Sequence, residues 1–131
     1  AMDILFLEGG DEEMHYPSQL IDALKNYSST ENIKIVLKPH PSWPPPPGLE
    51  SFQVMEKKFP VELLKGIPKA VIGIASTAMF GFSQHKVISL IHLVKFEKEE
   101  SKNYLLKYIE GKNIICPKTI SELEEEFKKL F

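Results

Sequence analysis

Three short runs in this chain are almost free of polar side chains: DILFL at 3–7, IKIVL at 33–37 and AVIGI at 70–74. The first stops at Glu8-Gly9-Gly10, the second at a histidine between two prolines, and the third at Ser76-Thr77. Short apolar runs bounded by turn signals fit strands buried on both faces, because neither face then needs a polar residue. Between the first two runs, Tyr16, Leu20, Ile21, Leu24 and Tyr27 recur at helical spacing, which predicts a helix over 17–27 with Pro17 in its first turn. An intervening helix of this length is what a crossover between parallel strands requires.

The remaining chain continues the alternation. Phe52 to Met55 reads as a brief third strand, and Val61 to Lys65 as a helical turn opening at Pro60. After AVIGI, Ser76-Thr77 opens a helix through Phe82; VISLIHL at 87–93 predicts a strand, 98–109 a helix, and Asn113 to Cys116 a last short strand. Thr119 with Glu122 forms a capping box for TISELEEEFKKL. Strands alternating with helices predict an α/β, Rossmann-like parallel sheet with helices on both faces. PPPP at 44–47 predicts a stiff polyproline II spacer.

A length of 131 residues suits one compact domain, expected over 3–131. Ala1 ahead of Met2 is expected to be a tag remnant, and the domain to be a piece of a longer protein. No apolar run approaches the roughly 18–20 residues of a membrane span, so a soluble chain is expected. The formal net charge of −2 supplies no overall field for nucleic acid or anionic lipid. Cys116 is the one cysteine, so no internal disulfide forms; without zinc spacing, this fits a reducing compartment and a small buried apolar role for Cys116. No GxGxxG follows a strand, and Walker and GxSxG sequences are absent, which argues against dinucleotide, P-loop and serine-hydrolase readings.

In an open parallel sheet, ligands bind beyond the carboxyl ends of the strands. Three polar loops fall there: Gly9 to Glu13, Lys38 to Ser42, and Ser76-Thr77. Pro39 and Pro41 restrict the backbone around His40, so its imidazole can meet a phosphate at little ordering cost; hydrogen bonding to the loop backbone is the equal alternative. Lys38 either adds positive charge or points to solvent. Ser76 and Thr77 suit an anion, or simple helix capping. Asp11, Glu12 and Glu13 offer a general base, or complement a helix dipole. Trp43 either stacks on a ligand or covers the loop's apolar side. His15, His85 and His92 lack metal-ligand spacing, and no metal is expected.

KPHP at 38–41, FPVELL at 59–64 and VIGIASTAMF at 71–80 together resemble the nucleotide-binding half of bacterial sialyltransferases, including the lipooligosaccharide sialyltransferase and polysialyltransferase families. The resemblance spans about residues 4–82 and implies one half of a GT-B architecture. It implies metal-independent transfer of sialic acid from CMP-sialic acid to a glycan hydroxyl, for a capsule or other cell-surface polysaccharide. In that reading His40 assists departure of CMP, and Pro41, Ser76 and Thr77 lie at the donor phosphate. Glu62 lies near the cytidine ribose, and Asp11 or Glu12 supplies the base. The implied partners are donor, acceptor glycan and a missing N-terminal domain, in the cytoplasm or at the inner membrane face by peripheral association; the isolated domain is expected to be inactive. KPHP also occurs in teichoic-acid glycerophosphotransferases, so a CDP-glycerol enzyme is the alternative, with a noncatalytic nucleotide-binding module as another. Ile74-Ala75 replace the Asp-Tyr pair usual in the glycerophosphotransferases, and GGDEEM lacks the glycine that follows the acids in sialyltransferases.

Overall fold

The computed structural model describes residues 2–8, 14–39, 48–56, 60, 64, 67–82 and 85–130, with only the backbone of Thr77. In chain order the elements are β1 (Ile4–Leu7), β2 (Met14–His15), α1 (Ser18–Thr30), β3 (Ile35–Lys38), β4 (Gln53–Val54), β5 (Ala70–Gly73), α2 (Thr77–Phe80), β6 (Lys86–Ser89), β7 (Lys95–Phe96), α3 (Glu99–Ile109) and α4 (Ile120–Lys128). Five strands form one parallel sheet in the order β4-β3-β1-β5-β6. The three apolar runs are its three central strands, and the α/β, Rossmann-like expectation holds.

Side-chain alternation divides the core between the two faces. Ile4, Phe6, Ile35, Leu37, Ile72 and Ile88 lie in one cluster with Leu20, Leu24, Ile109, Leu123 and Phe127 from α1, α3 and α4. Leu5, Leu7, Val71 and Val87 pack with Leu64, Met79 and Phe82 on the other. Helix α1 opens one residue later than its spacing predicts. Pro17 is its N-cap, and the helix runs on to Thr30 before Asn32 ends it in the left-handed region at φ 54°. The Tyr27 hydroxyl donates to the Phe127 carbonyl at 2.8 Å while the two rings lie 4.6 Å apart, tying α1 to α4.

Several boundaries differ from the sequence reading. VISLIHL is strand only to Ser89, because the Ser89 hydroxyl accepts the Ile91 N–H and the chain turns through Leu90 to Leu93. The turn keeps Leu90 and Ile91 buried, so its pattern mimics a strand. Asn113–Cys116 contracts to one parallel bridge between Ile88 and Ile115, with Pro117 following. Antiparallel pairing of β2 with β7 is new. At α4, Thr119 Oγ1 accepts the Glu122 N–H, but the Glu122 carboxylate reaches the Lys118 N–H instead of Thr119's own. Of the turn expected at 61–65, Leu64 alone is described, and PPPP lies outside the described residues.

Gly73 allows the closest packing in the sheet centre. A Cβ there would lie 2.9 Å from the Leu7 carbonyl oxygen and 3.0 Å from the Met79 sulfur. The sulfur belongs to a flexible side chain, but the oxygen belongs to the central strand. Gly73→Ala is therefore expected to destabilise the chain by about 1–3 kcal/mol, read from urea unfolding.

Candidate functional site at the strand-order reversal

From β1 the chain adds β3 and β4 on one side, then returns to place β5 and β6 on the other. In open parallel sheets such a reversal marks the edge beyond the carboxyl ends of the two strands, here β1 and β5, as the place where a ligand binds. Glu8 follows β1 there, and Ile74, Ala75 and Ser76 follow β5. His40, Pro41, Asp11, Glu12, Glu13, Trp43 and Glu62 lie outside the described residues, as does the Thr77 side chain.

Ser76 holds the N-cap position of α2 in extended backbone (φ −145°, ψ 155°), yet its side chain makes no capping hydrogen bond. Its Oγ is buried and has no hydrogen-bond partner among the described residues. An unsatisfied buried hydroxyl costs about 1–3 kcal/mol, so capping does not account for this serine. Because α2 is a single turn, its dipole adds little to attraction of an anion, and the hydroxyl is the distinctive group.

Ser89, unremarked in the sequence, holds this loop in place. It is fully buried at the end of β6; its hydroxyl donates to the Ile74 carbonyl and accepts the Ile91 N–H. The Leu90 N–H also donates to the Gly73 carbonyl at 2.7 Å. A serine inside an apolar run was the available signal.

Lys38 is neither free charge nor a solvent-facing side chain. It is buried, and Nζ donates to the Glu56 carbonyl at 3.1 Å; burial pushes its pKa down, opposed by the Glu56 charge. Glu8, which the sequence suggests only as a strand stop, is 5% exposed, and its N–H donates to the Lys38 carbonyl at 3.1 Å. Tyr16 packs edge-on to Phe6 with centroids 5.8 Å apart; burial, then the Glu8 charge, push its phenol pKa upward.

The remaining histidines and the cysteine are spread over separate segments. His15 is exposed on β2, and His85 lies edge-on to Phe82. Burial pushes the His92 pKa down, as do Lys102 and Lys118, against the opposing effect of Glu122. Cys116 is half-buried, and burial raises its thiol pKa. Among the described residues no three His, Cys, Asp or Glu side chains are grouped to hold a metal ion. Removing the Ser89 hydroxyl strands the Ile74 carbonyl and the Ile91 N–H, so Ser89→Ala is expected to lose about 1–3 kcal/mol in urea unfolding.

The sequence matches no protein-family model and no curated protein. Its fold is similar to that in the solved structure of the wall teichoic acid polymerase TagF, from a variant soaked with CDPG. The TM-score is 0.60 at 14% identity, and the match covers 98% of this chain and 34% of the polymerase chain. The chain thus spans about a third of that protein's length and shares a GT-B-like, α/β Rossmann-like fold with it.

Proposed function

We propose that this chain is the donor-nucleotide-binding half of a two-domain transferase and takes a cytidine-nucleotide donor at the β1/β5 edge. The fold likeness to TagF over nearly the whole chain carries this reading, and it favours a CDP-glycerol donor. The KPHP, PVEL and IAST pattern favours CMP-sialic acid as the second reading.

Both donors release CMP. With CDP-glycerol, an acceptor oxygen attacks the β-phosphorus, and the bond between that phosphorus and the oxygen bridging to the α-phosphate breaks. With CMP-sialic acid, the acceptor attacks the anomeric carbon, and the bond to the phosphate oxygen breaks. In either case this domain has the same task, to hold CMP while negative charge develops on its phosphate. Ser76 then donates to that phosphate, with Thr77 and Pro41 beside it. His40 gives a proton to the leaving group, Asp11 or Glu12 takes the proton of the acceptor hydroxyl, and Glu62 lies at the ribose.

No metal is assigned to this transfer, and nucleic acid is not a proposed partner. A second domain of the same protein would close over the edge and supply the acceptor glycan, so the domain alone binds donor without turnover. We place that transferase in the cytoplasm or peripherally at the inner membrane face, acting on cell-surface polysaccharide. Among the described residues no helix is long and apolar enough to cross a membrane.

Calorimetric titration of the chain with CMP, CDP-glycerol, CMP-sialic acid, UMP and GDP tests the proposal. CMP is expected to bind at least about tenfold more tightly than UMP or GDP, a difference of about 1.4 kcal/mol. Added affinity for CDP-glycerol supports glycerophosphate transfer, added affinity for CMP-sialic acid supports sialyl transfer, and binding of none sinks both. Ser76→Ala is expected to weaken CMP about tenfold while leaving unfolding stability unchanged or higher, since it removes an unsatisfied hydroxyl.

A further inference from the structure

Tyr16 carries a second buried hydroxyl without a hydrogen-bond partner among the described residues. The residue is 6% exposed, so water does not satisfy it by simple exposure. Its place follows from the alternation of β1. Ile4 and Phe6 face the α1 side of the sheet, and the Glu8 N–H continues the ladder by donating to Lys38, which puts Glu8 on that same side. The Tyr16 ring lies against Phe6, one alternation before Glu8. The carboxylate acts on the phenol through its charge without accepting the hydroxyl's proton in a hydrogen bond.

The two sides of the β1/β5 edge thus differ in chemistry. Beyond β5 stands the neutral Ser76 hydroxyl; beyond β1 stand a buried carboxylate and a phenol held in its protonated, donating form. A carboxylate repels phosphate, whereas a neutral hydroxyl can donate to it and accept from the phenol at the same time. We propose that Tyr16 and Glu8 form a subsite for a hydroxyl-bearing group attached to the donor phosphate. That group is either the ribose of the nucleotide or the polyol to be transferred. The inference rests on the cytidine-nucleotide reading and adds to it the part of the donor that β1 reads.

Tyr16→Phe removes one oxygen and keeps the ring on Phe6. Wild-type chain and variant are titrated with CMP, 2′,3′-dideoxycytidine monophosphate, CDP and CDP-glycerol, and each is melted without ligand. The variant is expected to melt at the same temperature or higher and to lose at least about fivefold affinity for a ligand carrying the recognised hydroxyl. A loss with CMP that vanishes with the dideoxy nucleotide assigns the ribose. A loss with CDP-glycerol that is absent with CDP and CMP assigns the glycerol. Equal affinities of both chains for every ligand overturn the subsite, and a lowered melting temperature with equal affinities gives the hydroxyl to the fold instead. If wild-type chain binds none of the four, the donor reading itself fails and the subsite with it; failure confined to the Tyr16→Phe comparison overturns the subsite alone.

Discussion

Because Ile4, Leu5, Phe6 and Leu7 are buried on both faces and paired on both sides, β1 is the reference from which every other part of the sheet takes its position. Its register with β5 requires Gly73 opposite Leu7, where no Cβ fits between the Leu7 carbonyl and Met79. That close approach seats α2 against the sheet and sets where Ser76 emerges. Its pairing with β3 carries the ladder one residue further, to Glu8 and Lys38. Here the chain places an acid on one face and a base on the other. The reversal of strand order and the chemical difference between its two sides follow from one strand that has no solvent face.

The central strands were legible in the sequence because a doubly buried strand leaves an unbroken apolar run, and α1 and α4 were legible through their helical spacing and, for α4, its capping threonine. The misreadings have physical causes. Met14-His15 and Lys95-Phe96 are too short to show a period, so their pairing leaves no trace in the sequence. Leu90, Ile91 and Val94 continue an apolar pattern although the backbone has already turned, because the turn itself is buried. Tyr16 fits the helical spacing of α1 yet stands before Pro17, where it serves the sheet. Ser76 was legible as a residue at a strand-to-helix junction, but whether a hydroxyl caps or stays unbonded depends on the backbone around it. Glu8 looked like the start of a turn, since a lone charge at a strand end does not reveal that the ladder runs on past it. His40, Pro41, Asp11, Glu12 and Glu62 rest on the sequence pattern alone.

The two donor readings share more than they dispute. CDP-glycerol and CMP-sialic acid differ at the electrophilic atom, phosphorus in one and carbon in the other, but both leave CMP behind. A domain that stabilises CMP as it departs is therefore compatible with either chemistry, and the choice falls to whatever grips the transferred group. A shared fold at 14% identity fixes the scaffold and not the chemistry carried on it.

The described residues at this edge also carry a nearly continuous chain of contacts. From the Ile74 carbonyl it passes to the Ser89 hydroxyl, to the Ile91 N–H, through the 90–94 turn to β7, across to β2, and on to Tyr16 resting on Phe6. Both ends return to neighbouring strands of one sheet. A rim braced in this way loses little backbone freedom when a ligand arrives, so contacts made there convert to affinity with a small entropic cost. The same bracing resists reshaping, because moving the 74–76 loop away from the 90–94 turn breaks the hydrogen bonds of Ser89.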